Sequence, residues 1–181
     1  MLSKRELKEK YEELFKTPSF ALRADFDQKK FSEAYLKKAR HNLELAGLLD
    51  LLSRDSEKKN AVQIAPTSQY FDWIIITSYY AMYLAATSAL AKIGLKSADH
   101  DATIIALEHN YCNEKNLLGR KHIEMIENAK FGREDVQKMD DARKSRTSVQ
   151  YTVSERYGDS EAKKSLKDAK EFVNKISEIL N

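Results

Sequence analysis

Punctuation is scarce in this chain: five glycines and two prolines serve 181 residues. Glycine and proline are the residues that stop helices and turn strands, so a chain this poor in them runs in long elements. Apolar residues recur at three- and four-residue spacings, the period of a helix, and no alternating strand pattern is apparent. A single cysteine, Cys112, excludes an internal disulfide framework; a small packed hydrophobe in a reducing compartment is its plain role. Neither sign of charge dominates. With 31 basic and 28 acidic residues the formal net charge is +3, which permits a local RNA-binding patch without demanding one. The opening MLSKRELKEKYEELF mixes both signs and has no apolar h-region, so a cytoplasmic protein without a secretory or transit signal is expected.

What the chain does have is one stretch without charge. Nineteen consecutive residues from Trp73 to Ala91 are uncharged in a chain that is 33% charged. As a helix the stretch is ~28 Å long and has no face that prefers water. Its length raises a membrane span, but Thr77, Ser78, Tyr79, Tyr80, Tyr83, Thr87 and Ser88 supply too many hydroxyls for a lone span. The expectation is the central helix of a water-soluble bundle outside the membrane, its hydroxyls bonded to neighbouring helices or facing a second subunit.

Around that helix the pattern predicts an all-α protein, an antiparallel, up-and-down bundle of four to five helices with an extra helix at the N-terminus. Ser3 and Glu6 have the spacing of a capping box and open a short helix carrying Leu7, Tyr11, Leu14 and Phe15 that stops before Pro18. Residues 1–26 are read as a helical extension and 27–181 as the bundle. A long helix is expected from about Gln28 to Leu52, and a connection follows that ends near Pro66, with Thr67 or Ser68 capping the central helix. Gly94 is expected to end that helix in a left-handed residue and Asp99 or its neighbours to start the next. A short helix around Leu117 to Ile126 is expected to close before Gly132, with a further one from about Glu134 to Tyr157. Gly158 breaks the chain, and a last helix runs from Ser160 to Leu180.

Several chemistries are excluded by spacing. No glutamate stands three residues before His41, His100, His109 or His122, and no two histidines are four apart, so the helical metal motifs are missing and no metal is expected. Phosphate loops and the GxSxG nucleophile elbow are absent. His100 lies between Asp99 and Asp101, where a solvated helix start is the plain explanation.

One residue breaks the pattern. Met139, Ala142, Val149 and Val153 define an apolar stripe, and Arg146 falls on it, about 40° from Ala142 and 60° from Val149 on an ideal helix. A guanidinium directed at a buried surface needs a carboxylate or phosphate partner, or a wet cleft. A salt bridge at a helix seam is the plain reading; an anion or RNA-backbone site, which Arg143 could join, is the sharper one.

Four segments carry a resemblance. SYYAMYLAATSALAKIG (Ser78 to Gly94), followed by His100 at the next helix start, resembles the central helix of HEPN domains, small all-helical modules. RTSVQY (Arg146 to Tyr151) is similar to the arginine, four-residue gap and tyrosine that end the functional helix in one branch of that family. YLKKARHNLELAGLL and AKKSLKDAKEFVNKISEIL resemble its first and last helices, so the likeness covers about residues 28–181.

The resemblance implies a homodimer with the arginine helices facing each other across a cleft. It implies two activities: metal-independent RNA cleavage by toxins or defence effectors, or nucleotide binding and partnership with a minimal nucleotidyltransferase. The histidine that follows the arginine in the nucleases is missing here: Tyr151 to Val153 contain none, and a phenol with a reference pKa near ~10 is a poorer proton shuttle. Thr147 stands where asparagine is usual, and Thr77 where many relatives place an arginine. The leading expectation is a dimer cleft that binds nucleotide or RNA phosphate through Arg146 and Tyr151, with Arg143, Thr147, Gln150, Tyr79 and Tyr80 around them, in a toxin-antitoxin or defence setting. The alternative is a non-catalytic module that partners a nucleotidyltransferase. No cofactor is expected.

Overall fold

The computed structural model describes residues 3–16, 21–145 and 158–181, with side chains of 135–145 outside the description. Its helices are α1 (Lys4–Glu13), α2 (Ser32–Arg54), α3 (Ser56–Ala61), α4 (Phe71–Lys92), α5 (His100–Leu107), α6 (Arg120–Ser145) and α7 (Asp159–Leu180). A 3-10 turn, Phe26–Phe31, leads into α2, and a π-helical segment, Glu108–Glu114, continues α5.

The uncharged run becomes α4, and α2, α5, α6 and α7 pack around it. Its most apolar window is long enough to cross a membrane, and 72% of that window is buried inside the protein. The hydroxyls are accommodated as a buried helix requires. Thr77 and Thr87 bond back to the carbonyls of Trp73 and Tyr83 at 2.6 and 2.9 Å, and Ser88 Oγ donates to the Ser32 carbonyl at 2.6 Å.

Contacts fix the helix directions. The start of α2 meets the end of α4 through Ser32 and Ser88, whereas Ser53, near the end of α2, accepts from the Tyr70 N–H at 3.0 Å, so α2 and α4 are antiparallel. Gly132 approaches Ile75 while Met125 and Met82 line one cavity, which makes α6 antiparallel to α4 as well. On α7, Ala162 and Leu166 pack with Ile74 and Ala46, and Leu180 lies near Ser88 and Leu36. The result is the expected up-and-down, all-α bundle. Phe172, Val173 and Ile176 of α7 close its main core against Tyr79, Met82, Ile123 and Ile126. Each such side chain contributes about 1.5–3 kcal/mol by leaving water.

Local signals hold at several ends. The capping box is formed, with Glu6 N–H donating to Ser3 Oγ at 3.2 Å and Ser3 N–H to Glu6 Oε2 at 2.6 Å. Gly94 ends α4 at φ +76°, and a Cβ there would also lie 3.0 Å from the Phe26 ring, so two constraints favour glycine.

Four expectations need correction. A two-stranded antiparallel pair exists, β1 (Leu22–Ala24) with β2 (Leu95–Ser97), too short for a period of two to register in the sequence. The α2 helix starts at Ser32, because a 3-10 turn occupies the stretch before it. Neither Thr67 nor Ser68 caps α4; that role at Tyr70 falls to Ser53, a side chain distant in sequence. Gly132 does not end a helix: α6 runs through it, and the missing side chain instead lets α4 come close, since a Cβ would sit 3.5 Å from Ile75 Cγ2. The N-terminal segment is tied to the bundle, with Leu7 buried, Tyr11 stacked on His109 at 4.0 Å, and Leu14 and Phe15 packed around Leu22, Leu90 and Ala106.

Candidate functional site

Where α4, α5 and α6 meet, aromatic, cationic and imidazole groups converge. α4 supplies Tyr79, Tyr80 and Tyr83, three side chains within five residues that spread over about a quarter of the helix surface. α5 supplies His100 as its first residue, held by the cap next to it: Asp99 Oδ1 accepts from the Ala102 N–H at 2.8 Å, and Thr103 Oγ1 donates to the Asp99 carbonyl at 2.8 Å. α6 supplies Lys130 and Arg133 from the turn on either side of Gly132.

Tyr79 is fully buried and its hydroxyl bonds His100 Nδ1. Burial pushes the Tyr79 phenol far above its ordinary value, so it keeps a proton that it can donate to Nδ1. Burial first, then the positive charges of Arg133 and Lys130, hold His100 below its ordinary value, with Asp99 and Asp101 opposing. Near neutral pH the imidazole is therefore uncharged; in the tautomer that accepts from Tyr79 at Nδ1, the proton resides on Nε2, an N–H donor on the far side of the ring. Tyr83 packs beside it at a tilt of 47°, its ring centroid 4.3 Å from the imidazole, and stacks on Tyr79 at 6.1 Å.

Arg133 lies across this platform. Its guanidinium carbon is 5.7 Å from the Tyr79 ring centre and 5.6 Å from that of Tyr80, within the range of cation-π attraction. Lys130 is engaged elsewhere: its Nζ is 2.6 Å from Asp101 Oδ1 and 3.6 Å from Glu134 Oε1, and the Asp101 hydrogen bond is the main reason its pKa is raised. A planar guanidinium held by two rings, beside a neutral imidazole N–H, is a pair of donors suited to phosphate oxygens.

Of the residues singled out in the sequence, Tyr79 and Tyr80 belong to this cluster. Arg143 is carried by α6, ten residues and so ~15 Å along the axis from Arg133, and its side chain is outside the description. Arg146, Thr147, Gln150 and Tyr151 lie outside the described residues. His100 is more than a solvated helix start, because the Tyr79 hydroxyl fixes it; the cue was a tyrosine on the uncharged helix and a histidine 21 residues on. Arg133 was missed because Gly132 read as a helix stop. Among the described residues no group of three or more His, Cys, Asp or Glu could hold a metal ion.

The fold and this seam define a small helical-bundle protein with a cation-bearing tyrosine platform on its central helix. The family model described as HEPN domain matches residues 48–180, nearly three quarters of the sequence, and the chain belongs to the HEPN family. Comparison with curated proteins and with solved structures found no match. The HEPN domain implies a nucleotide- or RNA-related function.

Proposed function

We propose that this HEPN protein binds nucleotide or RNA phosphate in a cleft between two copies of the chain. Arg146, Tyr151, Arg143, Thr147 and Gln150 line the cleft, and Tyr79 and Tyr80 support it from α4. The observation that carries the reading is the Arg133 guanidinium laid over Tyr79 and Tyr80 beside the His100 imidazole, since it puts a cation on the helix that also bears Arg143, with an imidazole from α5 next to it.

In the cleavage form of this reading, the 2′-hydroxyl attacks phosphorus, the P–O5′ bond breaks, and the proton leaves the 2′-oxygen and ends on O5′. Arg146 stabilises the charge on the equatorial oxygens and Tyr151 orients the attacking or leaving oxygen. Labelled RNA incubated with the protein in EDTA tests this. Degradation that disappears in Arg146→Ala, with the helical circular-dichroism spectrum retained, is the expected result; an unchanged rate in that variant removes the mechanism.

The absence of histidine from Tyr151 to Val153 favours a second reading, a non-catalytic module that docks a minimal nucleotidyltransferase. Stoichiometric capture of such an enzyme, with RNA left intact, is the result expected for it.

A further inference from the structure

A cavity of about 160 Å³ opens between α4, α6 and α7, on the other flank of α6 from Lys130 and His100. Its floor is apolar: Ile75 and Met82 from α4, Met125 and Ala129 from α6, with Gly132 contributing no side chain. Asn128, Ser165 and Asp168 bring hydrogen-bonding groups to it, and the exposed Glu161 and Lys164 complete the polar lining at its edge. We propose that this cavity is a nucleobase site that takes the six-membered ring of guanine. The proposal rests on the nucleotide reading above and adds the base to it.

Volume sets the size of the guest. A dry cavity of about 150 Å³ holds one benzene ring, so one six-membered ring fits and a fused second ring must point outward. Two methionine thioethers and a small-residue wall suit the faces of a flat aromatic ring. The chemistry of the opening then selects the ring's edge.

Ser165 is the informative residue. Thr77, Thr87, Thr103 and Ser177 each satisfy their hydroxyls by bonding the carbonyl four residues back, a partner open to any helical Ser or Thr. Ser165 Oγ is buried and has no partner. Ser78 Oγ, on the α4 face that carries Ile75 and Met82, is likewise buried without one. Orphaned hydroxyls of this kind are uncommon in native cores, and a ligand that meets Ser165 accounts for the one at the cavity.

Asp168 supplies the discrimination. Its carboxyl is held above the usual carboxylate range by burial, with Lys164 opposing, so hydrogen-bond donors that solvate the anion are favoured there. Guanine presents N1–H and the N2 amino group side by side, which matches a carboxylate bidentately, while its O6 accepts from Asn128 Nδ2 or Ser165 Oγ. Adenine places a lone pair at N1, facing the carboxylate with the wrong sign. The sugar is on the five-membered ring and stays outside.

Titration of the full chain with guanosine, which carries no phosphate, tests the proposal by calorimetry. Saturable guanosine binding is expected, with adenosine at least about 10-fold weaker, the discrimination typical of a mismatched bidentate pair. Asp168→Asn should lower guanosine affinity at least about 10-fold, and Ala129→Leu, which fills the floor, should abolish binding. If Ala129→Leu does not fold, Asp168→Asn at a half-exposed position decides alone. Equal affinity for the two nucleosides, or no effect of Asp168→Asn, overturns the proposal. RNA binding that persists without guanosine binding removes the base site and leaves the phosphate reading intact. Guanosine binding without RNA binding does the reverse.

Discussion

The α2 side and the α6 side of the central helix solve the same problem differently. Toward α2, α4 meets small residues and settles its polar groups in pairs: Ser32 Oγ donates to the Ser88 carbonyl at 2.9 Å and Ser88 Oγ returns the bond at 2.6 Å, while Ala39 and Ala46 are fully buried. Toward α5 and α6, the same helix places three tyrosines under an arginine and a histidine. Small reciprocal pairs let backbones approach and leave nothing to react. A guanidinium on aromatic faces does not use up its N–H donors on the rings. The difference separates a seam whose polar groups satisfy one another from one that holds a cation on aromatic faces, and it can be broken or sharpened by mutation.

The largest effect belongs to the scaffold. Phe172 is fully buried in the main core, so Phe172→Ala should cost about 3–5 kcal/mol, read as a lowered urea midpoint. Phosphate or RNA affinity of the protein that remains folded should not change. A loss below about 1 kcal/mol would mean that the core closed by α7 is loosely packed and the contrast is overdrawn.

Arg133→Ala probes the other side. Stability should fall by no more than about 1 kcal/mol, the worth of a partly exposed cation-π contact. Affinity for RNA should drop by about 10-fold or more, as the loss of one charge-assisted contact predicts. The reverse outcome, a large stability loss with affinity retained, would make Arg133 a structural residue.

A smaller effect comes from His100. Its folded pKa is depressed, so the unfolded chain takes up the proton more readily, and stability is full above about pH 6.5 and declines as pH falls from there toward the folded value. His122 is depressed by burial too and contributes in the same window. The melting temperature should therefore fall on acidification from neutral to pH 5.5, and His100→Gln should flatten part of that slope. A profile identical to the parent would show that the Tyr79–His100 contact does not couple to folding.

The order of the helices was legible because it rests on composition: an uncharged run among charged amphipathic ones has only one place to go. Capping at Ser3 and Asp99 and the left-handed Gly94 were legible because those signals are local. Ser53 capping the start of α4 was not, since its partner is 17 residues away. The site was half legible. Tyr79 and Tyr80 could be named through the resemblance their segment carries, whereas the His100 bond and the Arg133 stacking depend on which helices become neighbours, which no local period encodes. The arginine-tyrosine segment from Arg146 to Tyr151 was legible only as a motif, and it lies outside the described residues.

Gly132 offers the finest test, because it was misread in the sequence and lies where the two sides of α6 are closest. Inside a helix, glycine costs about 0.5–1 kcal/mol relative to alanine. A Cβ at this position would meet Ile75 Cγ2 at 3.5 Å, an ordinary van der Waals contact, so Gly132→Ala should stabilise the protein by about that amount in a thermal or urea melt. The methyl group also enters the wall of the α4–α6–α7 cavity. Scaffold and cavity then respond oppositely to one substitution, with stability rising and guanosine affinity falling. Destabilisation would instead mean that α4 and α6 need a closer approach at this point than alanine permits, and Gly132 would be a packing requirement.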